Sequence, residues 1–233
     1  QAAYRWTEQS GLQYLGGYRP GAAYTRVYAV SRDGGTIVGR GSVSLFSDQE
    51  AWKWRDGDGF TLLQDLPDAP FTATTARAAN ADGSIIVGSG ANPGFGSRGI
   101  IWRDDQIIAL PAVPGWRSAI ATDLSDDGSV IVGTLAASLV GLPETAAIWT
   151  QETNWVPALD YFRMHGVDIP SYYSPQFSRF TVSADGRTFS SLLTDTRTNE
   201  QILAVVVIPG PSALVPLGMY LLIGRRSRGR RRV

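Results

Sequence analysis

Four aspartates, Asp33, Asp82, Asp127 and Asp185, each stand directly before a glycine, and carboxylates of this kind could serve as calcium ligands or as catalytic acids. The single histidine, His165, lies in a stretch with Phe162, Tyr172 and Tyr173, an aromatic composition that could contact a glycan. A hydrolytic Ser-His-Asp arrangement would have to recruit His165 from that stretch, and no nucleophile-elbow motif accompanies it. Asp56-Gly57-Asp58-Gly59 begins like a calcium loop but lacks the later glutamate that closes one, so a hairpin turn is expected. The glycine-rich run GSGANPGFGSRG from Gly88 has no Lys-Ser/Thr pair and follows a strand without opening a helix, which argues against a phosphate cradle. With no cysteine in the chain there are no disulfides and no thiolate metal sites, and neither a metal nor a cofactor is expected.

The surroundings of the four aspartates favour turn chemistry over ligation. AVSRDGGTIVG (Ala29 to Gly39) returns as AANADGSIIVG (Ala78 to Gly88), DLSDDGSVIVG (Asp123 to Gly133) and, worn, as TVSADGRTFSS (Thr181 to Ser191). Each copy is a short apolar run, an Asp-Gly pair and a second run rich in β-branched residues, the signature of a hairpin closed by a two-residue turn. Glycine supplies the positive φ that such a turn needs, and aspartate tolerates it.

A second repeat alternates with the first. AYRW ends at Trp6, AWKW at Trp54, GIIW at Trp102 and AAIW at Trp149, at spacings of 48, 48 and 47 residues. After each tryptophan come polar or glycine residues and another apolar run, again strand, turn, strand. One period therefore carries four short strands, and the fold class expected is all-β, a β-propeller-like array of four-stranded blades. Full blades are expected over 24–66, 75–111 and 118–160, with a partial fourth from Arg179 to Ile208. The chain opens in what reads as the third strand of a blade, giving about four to four and a half blades; upstream repeats, or closure by the opposite end of the chain, would complete the first. Each tryptophan is expected to pack between blades.

The fourth unit is delayed by an insertion from Tyr161 to Phe177 that carries Phe162, His165, Tyr172 and Tyr173. It reads either as a ligand-contacting loop or, preferred, as a flap over a blade edge or the propeller mouth. Residues 209–233 change character: Pro209-Gly210-Pro211, an apolar run from Ala213 to Gly224 expected as a helix, and an arginine cluster beginning at Arg225 and Arg226. Twelve helical residues span roughly 18 Å, short of a ~30 Å hydrocarbon core unless the flanking arginines snorkel. Arginines after the apolar run would stay cytoplasmic and leave residues 1–208 on the other side. Outside this tail the chain is mildly acidic, which argues against a nucleic-acid partner.

The tail resembles the PEP-CTERM sorting signal of Gram-negative surface proteins, with Gly210 where that family usually has glutamate. The resemblance implies processing by a membrane exosortase and release or attachment outside the inner membrane. The repeats resemble the extracellular repeats of the HAF family, in which an AF-x-W element is followed some 20 residues later by an AVSxDGxxVVG hairpin. Ala3–Trp6 with Ala29–Gly39, and Ala51–Trp54 with Ala79–Gly88, match that order. The match fails in the fourth unit, where Ser190 and Ser191 replace Val-Gly, as in a worn terminal repeat. Together these imply an exported, non-enzymatic binding or structural scaffold of the cell surface or extracellular matrix, presenting loops to polysaccharide or protein. The alternative is an extracellular glycan-active hydrolase or lyase on the same scaffold.

Overall fold

The computed structural model describes residues 2–44, 49–65, 73–92, 96–104, 106–137, 144–175, 180–209 and 224–225. It is all-β, with five antiparallel sheets. A two-stranded sheet pairs β1 (Ala3–Thr7) with β2 (Gly11–Gly16). Three four-stranded sheets follow in strict sequence order: β3 (Tyr24–Val30), β4 (Thr36–Ser42), β5 (Glu50–Arg55) and β6 (Gly59–Leu62); β7 (Ala73–Ala79), β8 (Ile85–Asn92), β9 (Gly96–Arg103) and β10 (Gln106–Ala109); β11 (Ser118–Leu124), β12 (Val130–Ala136), β13 (Glu144–Thr150) and β14 (Asn154–Pro157). Helix α1 (Ala158–Met164) leads to the last sheet. There β15 (Tyr173–Pro175) and β16 (Thr181–Val182) both pair with β17 (Thr188–Asp195), which is followed by β18 (Gln201–Val207) and β19 (Gly224–Arg225).

The repeats meet because the sheets stack face to face and the pleat sends alternate residues to opposite neighbours. Ile100 and Trp102 of β9 join Val38 and Ala51 of the sheet before, while Ile101 between them joins Ala119 and Leu135 of the sheet after. Strands such as Ile131-Val132 are apolar on both faces for this reason. In each complete sheet the first strand carries one extra residue opposite the second: Tyr28, Arg77 and Thr122 sit at these bulges. The bulge brings the first strand so close to the glycine of the Ile-Val-Gly run that a Cβ on Gly39, Gly88 or Gly133 would collide with the carbonyl oxygen of Arg26, Thr75 or Ile120.

Three sequence expectations are corrected. Trp54 and Trp102 are buried, at 7% and 4% exposure, and Trp149 is half-buried, but Trp6 is 68% exposed. Tyr4 and Trp6 share one face of the first sheet with Tyr14 and Leu12, their cross-strand partners, and all four are exposed. The opposite face puts Arg5 over the Trp54 ring at 5.3 Å. Trp6 thus occupies the repeat position that the preceding sheet covers elsewhere, and among the described residues no sheet lies there. Second, the insertion, expected as a loop or flap, begins within a helix: α1 packs Tyr161 and Phe162 into the core between the last two sheets. Third, the Asp-Gly turns are longer than two residues, as described below. The expected C-terminal helix falls mostly on residues outside those described, and only Gly224–Arg225 at its end is seen, paired with β18. Among the described residues no helix is long and apolar enough to cross a membrane.

Gly133→Ala is expected to cost about 3 kcal/mol by overpacking, against about 1–2 kcal/mol for Gly11→Ala, whose φ is positive but whose surroundings are open. Urea midpoints of the two variants would check the order, and equal losses would contradict the close approach. Trp102→Ala should likewise cost about 3–5 kcal/mol, whereas Trp6→Ala should shift the midpoint little.

Candidate functional site

Each Asp-Gly pair sits in a four-residue loop closed by the residue two before the aspartate. Ser31 N–H donates to Thr36 O, Gly34 N–H to Ser31 O, and Thr36 N–H to Ser31 Oγ. The same bonds recur from Asn80 to Ile85, Ser125 to Val130 and Ser183 to Thr188. Only the glycines take positive φ, +73°, +68°, +68° and +71° at Gly34, Gly83, Gly128 and Gly186; the aspartates do not. The carboxylates accept instead. Asp33 takes Ser31 Oγ–H and Gly35 N–H, Asp127 takes Ser125 Oγ–H with the amide and hydroxyl of Ser129, and Asp185 takes Ser183 Oγ–H and Arg187 N–H.

These bonds set the acidity. The Ser31 hydroxyl and Gly35 amide hold Asp33 below the usual carboxylate range, and the Ser183 hydroxyl and Arg187 amide do so for Asp185. Burial pushes Asp127 up, but its serine and amide donors together bring it lower. Asp123 is the exception: burial raises it, although it accepts from Val182 N–H and Leu124 N–H. Asp33, Asp127 and Asp185, together with Asp82, which accepts from Ser84 N–H, are therefore structural acceptors, and among the described residues no cluster of His, Cys, Asp and Glu could hold a metal ion.

The loops also clasp one another. Asp33 N–H donates to Ala81 O, Asn80 Nδ2 to Asp126 O, and Asp126 N–H to Ala184 O, so each loop is tied to the next sheet's loop. The arginine after the core tryptophan adds a second clasp, Arg55 Nη2 to Gly83 O at 2.9 Å and Arg103 Nη2 to Asp127 O at 3.0 Å. Between the first two complete sheets lies a cleft of about 310 Å³ lined by Lys53, Arg55, Arg103 and Trp102, with Asp104 the only acid among its described lining residues.

The insertion does not gather its aromatic residues into one surface. Phe162 is 2% exposed and packs edge-on to Phe180 and Phe189, so it is not available to a ligand. His165 ends α1; its ring lies 4.4 Å from the Tyr161 ring, and Nδ1 is 2.8 Å from Tyr161 O. The Tyr172 and Tyr173 rings meet at a 49° tilt with centroids 4.6 Å apart on the edge of the last sheet, where the Arg197 guanidinium covers Tyr172 at 3.4 Å. Arg197 also pairs with Asp195 at 2.7 Å and holds it at about pKa 2. Of the tail motif, Pro209 is exposed and Arg225 belongs to β19; Gly210, Pro211 and Arg226 lie outside the described residues. The roles of Ser31, Asn80, Ser125 and Ser183 were missed, though their recurrence two residues before each aspartate was the available signal.

No family model matches the chain, and no curated protein matches it significantly. Among solved structures it is similar to TolB from Acinetobacter baumannii, at 14% identity and a TM-score of 0.55, over 89% of this chain and 46% of TolB. It is also similar to a prolyl endopeptidase at 11% identity and a TM-score of 0.49, over 81% of this chain and 29% of the enzyme. The chain thus spans less than half of either protein. TolB has a β-propeller domain, and the likeness supports one statement about this chain: its fold is all-β and β-propeller-like.

Because Asp195 titrates near 2 when folded and near ~3.9 when unfolded, its stabilising contribution is complete above about pH 5 and disappears as the pH falls from about 4 to 2. Asp195→Asn should therefore lower the urea midpoint at pH 6 and converge with the unmodified protein near pH 2. A deficit of the same size at both pH values would contradict the assignment.

Proposed function

We propose that this chain is an exported, non-enzymatic repeat scaffold of a Gram-negative cell envelope or extracellular matrix, sorted through its C-terminal tail. On this reading each four-stranded sheet is a propeller blade. Three blades are complete, the fourth is altered by the insertion, and β1–β2 is the outer half of another, about four to four and a half in all. The apolar run from Ala213 would anchor the chain transiently in the inner membrane, with Arg225 and Arg226 on the cytoplasmic side and the β18–β19 pairing opened, until an exosortase-type protease cuts near Pro209-Gly210-Pro211. Extracellular polysaccharide or a surface protein is the partner, and the half-buried Tyr172–Tyr173 edge with Arg197 over Tyr172 is one surface that could meet it.

The observation that carries the non-enzymatic reading is the occupation of the repeat carboxylates. Asp33, Asp127 and Asp185 spend their acceptor capacity on hydroxyls and amides of their own loops, which commits them to architecture rather than to a reacting group. Export is supported by the tripartite layout of the tail.

The test is to express the chain behind a secretion signal in a Gram-negative host with exosortase, and to fractionate the cells. Mature protein should appear in the envelope or medium with an intact mass lacking the tail, and alanines at Pro209 and Pro211 should retain it. Retention in the cytosol, or an untrimmed exported form in the unmodified protein, would contradict the reading.

A further inference from the structure

The bulges described above have an energetic consequence at the first pair of complete sheets. Tyr28 and Arg77 occupy the same repeat position on the first strands β3 and β7, and Arg77 lies over the Tyr28 ring at 5.6 Å from its centroid. Arg40, from β4, lies over the same ring at 5.7 Å. Arg26 is the cross-strand partner of Arg40, and it is exposed. Like charges directly opposite each other in a sheet are destabilising, so this arrangement calls for a compensating charge.

None is supplied by the described residues. Arg40 Nη1 donates to the neutral Gln49 Oε1 at 2.6 Å, and among the described residues no carboxylate forms an ion pair with Arg26, Arg40 or Arg77. The Nε atoms of Arg40 and Arg77 are both buried without an acceptor. Burial pulls the Arg77 guanidinium below its ordinary value; Tyr28 acts against that shift and the Arg40 charge adds to it. A cation–π contact offsets part of the cost of burying a guanidinium, but it satisfies no N–H donor.

We propose that Arg40 and Arg77, held by the Tyr28 ring with Arg26 beside them, form a binding site for the carboxylate or sulfate groups of an acidic polysaccharide. A guanidinium fork matches a planar carboxylate in a bidentate fashion, and charge-assisted bonds of this kind are the stronger class. The exposed Arg26 continues the basic strip outward, so that a polyanion with regularly spaced charges gains more than a single ion does. The proposal rests on reading the chain as an extracellular scaffold and names the chemistry it would recognise.

The test is calorimetric titration of the full chain with polygalacturonate, a neutral galactan, polyglutamate and inorganic sulfate, at low and at physiological salt. Polygalacturonate should bind, weaken with salt, weaken about tenfold in Arg77→Gln and further in the Arg40→Gln/Arg77→Gln double variant, and keep its affinity in Arg187→Gln. Exposed Arg26→Gln should weaken binding several-fold without touching the core, so it serves if the buried variants fail to fold. Sulfate should bind more weakly at the same residues, and the galactan should not bind. Polygalacturonate binding that survives the Arg26 and Arg77 substitutions, or no binding of polygalacturonate at all, would overturn the site. Equal binding of the galactan would overturn the site yet leave the scaffold reading standing. Tighter binding of polyglutamate would overturn the choice of a polysaccharide.

Discussion

The close approach of the second, third and fourth Asp-Gly loops to the sheets before them is the constraint on which the array depends. A Cβ on Gly83 would collide with Thr36, one on Gly128 would lie 2.6 Å from Arg103 Nη2, and one on Gly186 would lie 2.9 Å from Val130. Gly83 and Gly186 therefore meet two demands with one residue type, a left-handed backbone and contact closer than a Cβ permits, whereas at Gly128 the nearest atom is the movable end of Arg103. Once the loops are seated, backbone bonds such as Asp126 N–H to Ala184 O join neighbouring sheets without help from side-chain charge. Gly34 adopts the same conformation with nothing within 4 Å, and Trp6 is bare on the same first repeat. The causes are related: the sheet before β3 has only two strands, which leaves Gly34 open, and among the described residues no sheet lies before β1 to cover Trp6.

The stacking explains how strands can be apolar on both faces. Residues that alternate along β8, β9, β12 and β13 are shared between adjacent cores, so a strand can be apolar throughout and still have no wet face. The bulge in the first strand breaks that alternation once per repeat and re-aims a single residue. Tyr28, Arg77 and Thr122 differ in chemistry although their repeats are otherwise alike, which makes the bulge row the place where this architecture varies its surface at little cost to its cores.

The insertion repairs the one stack where the repeat is worn. Ser190 stands in the fourth unit where Val132 stands in the third, and the Trp position has no counterpart. Helix α1 and the Phe162–Phe180–Phe189 cluster fill the interface between the last two sheets instead. Aromatic residues that look like a ligand surface when read along the chain are thus divided, with Phe162 in the core and Tyr172 and Tyr173 on an edge.

Strand order, sheet count and turn positions were legible from the chain, because Asp-Gly pairs and tryptophans recur at a nearly constant period and each marks a local conformation. Local sequence also fixed the loop chemistry to the extent that aspartate and glycine are turn residues. It did not reveal that the loop has four residues rather than two, since the closing bonds come from Ser31, Asn80, Ser125 and Ser183. Nor could it show that Trp6 lacks a cover, that α1 forms a core wedge, or that Arg40 and Arg77 share one tyrosine ring. Those outcomes depend on which sheet lies against which, a relation between residues far apart in sequence that no local period encodes.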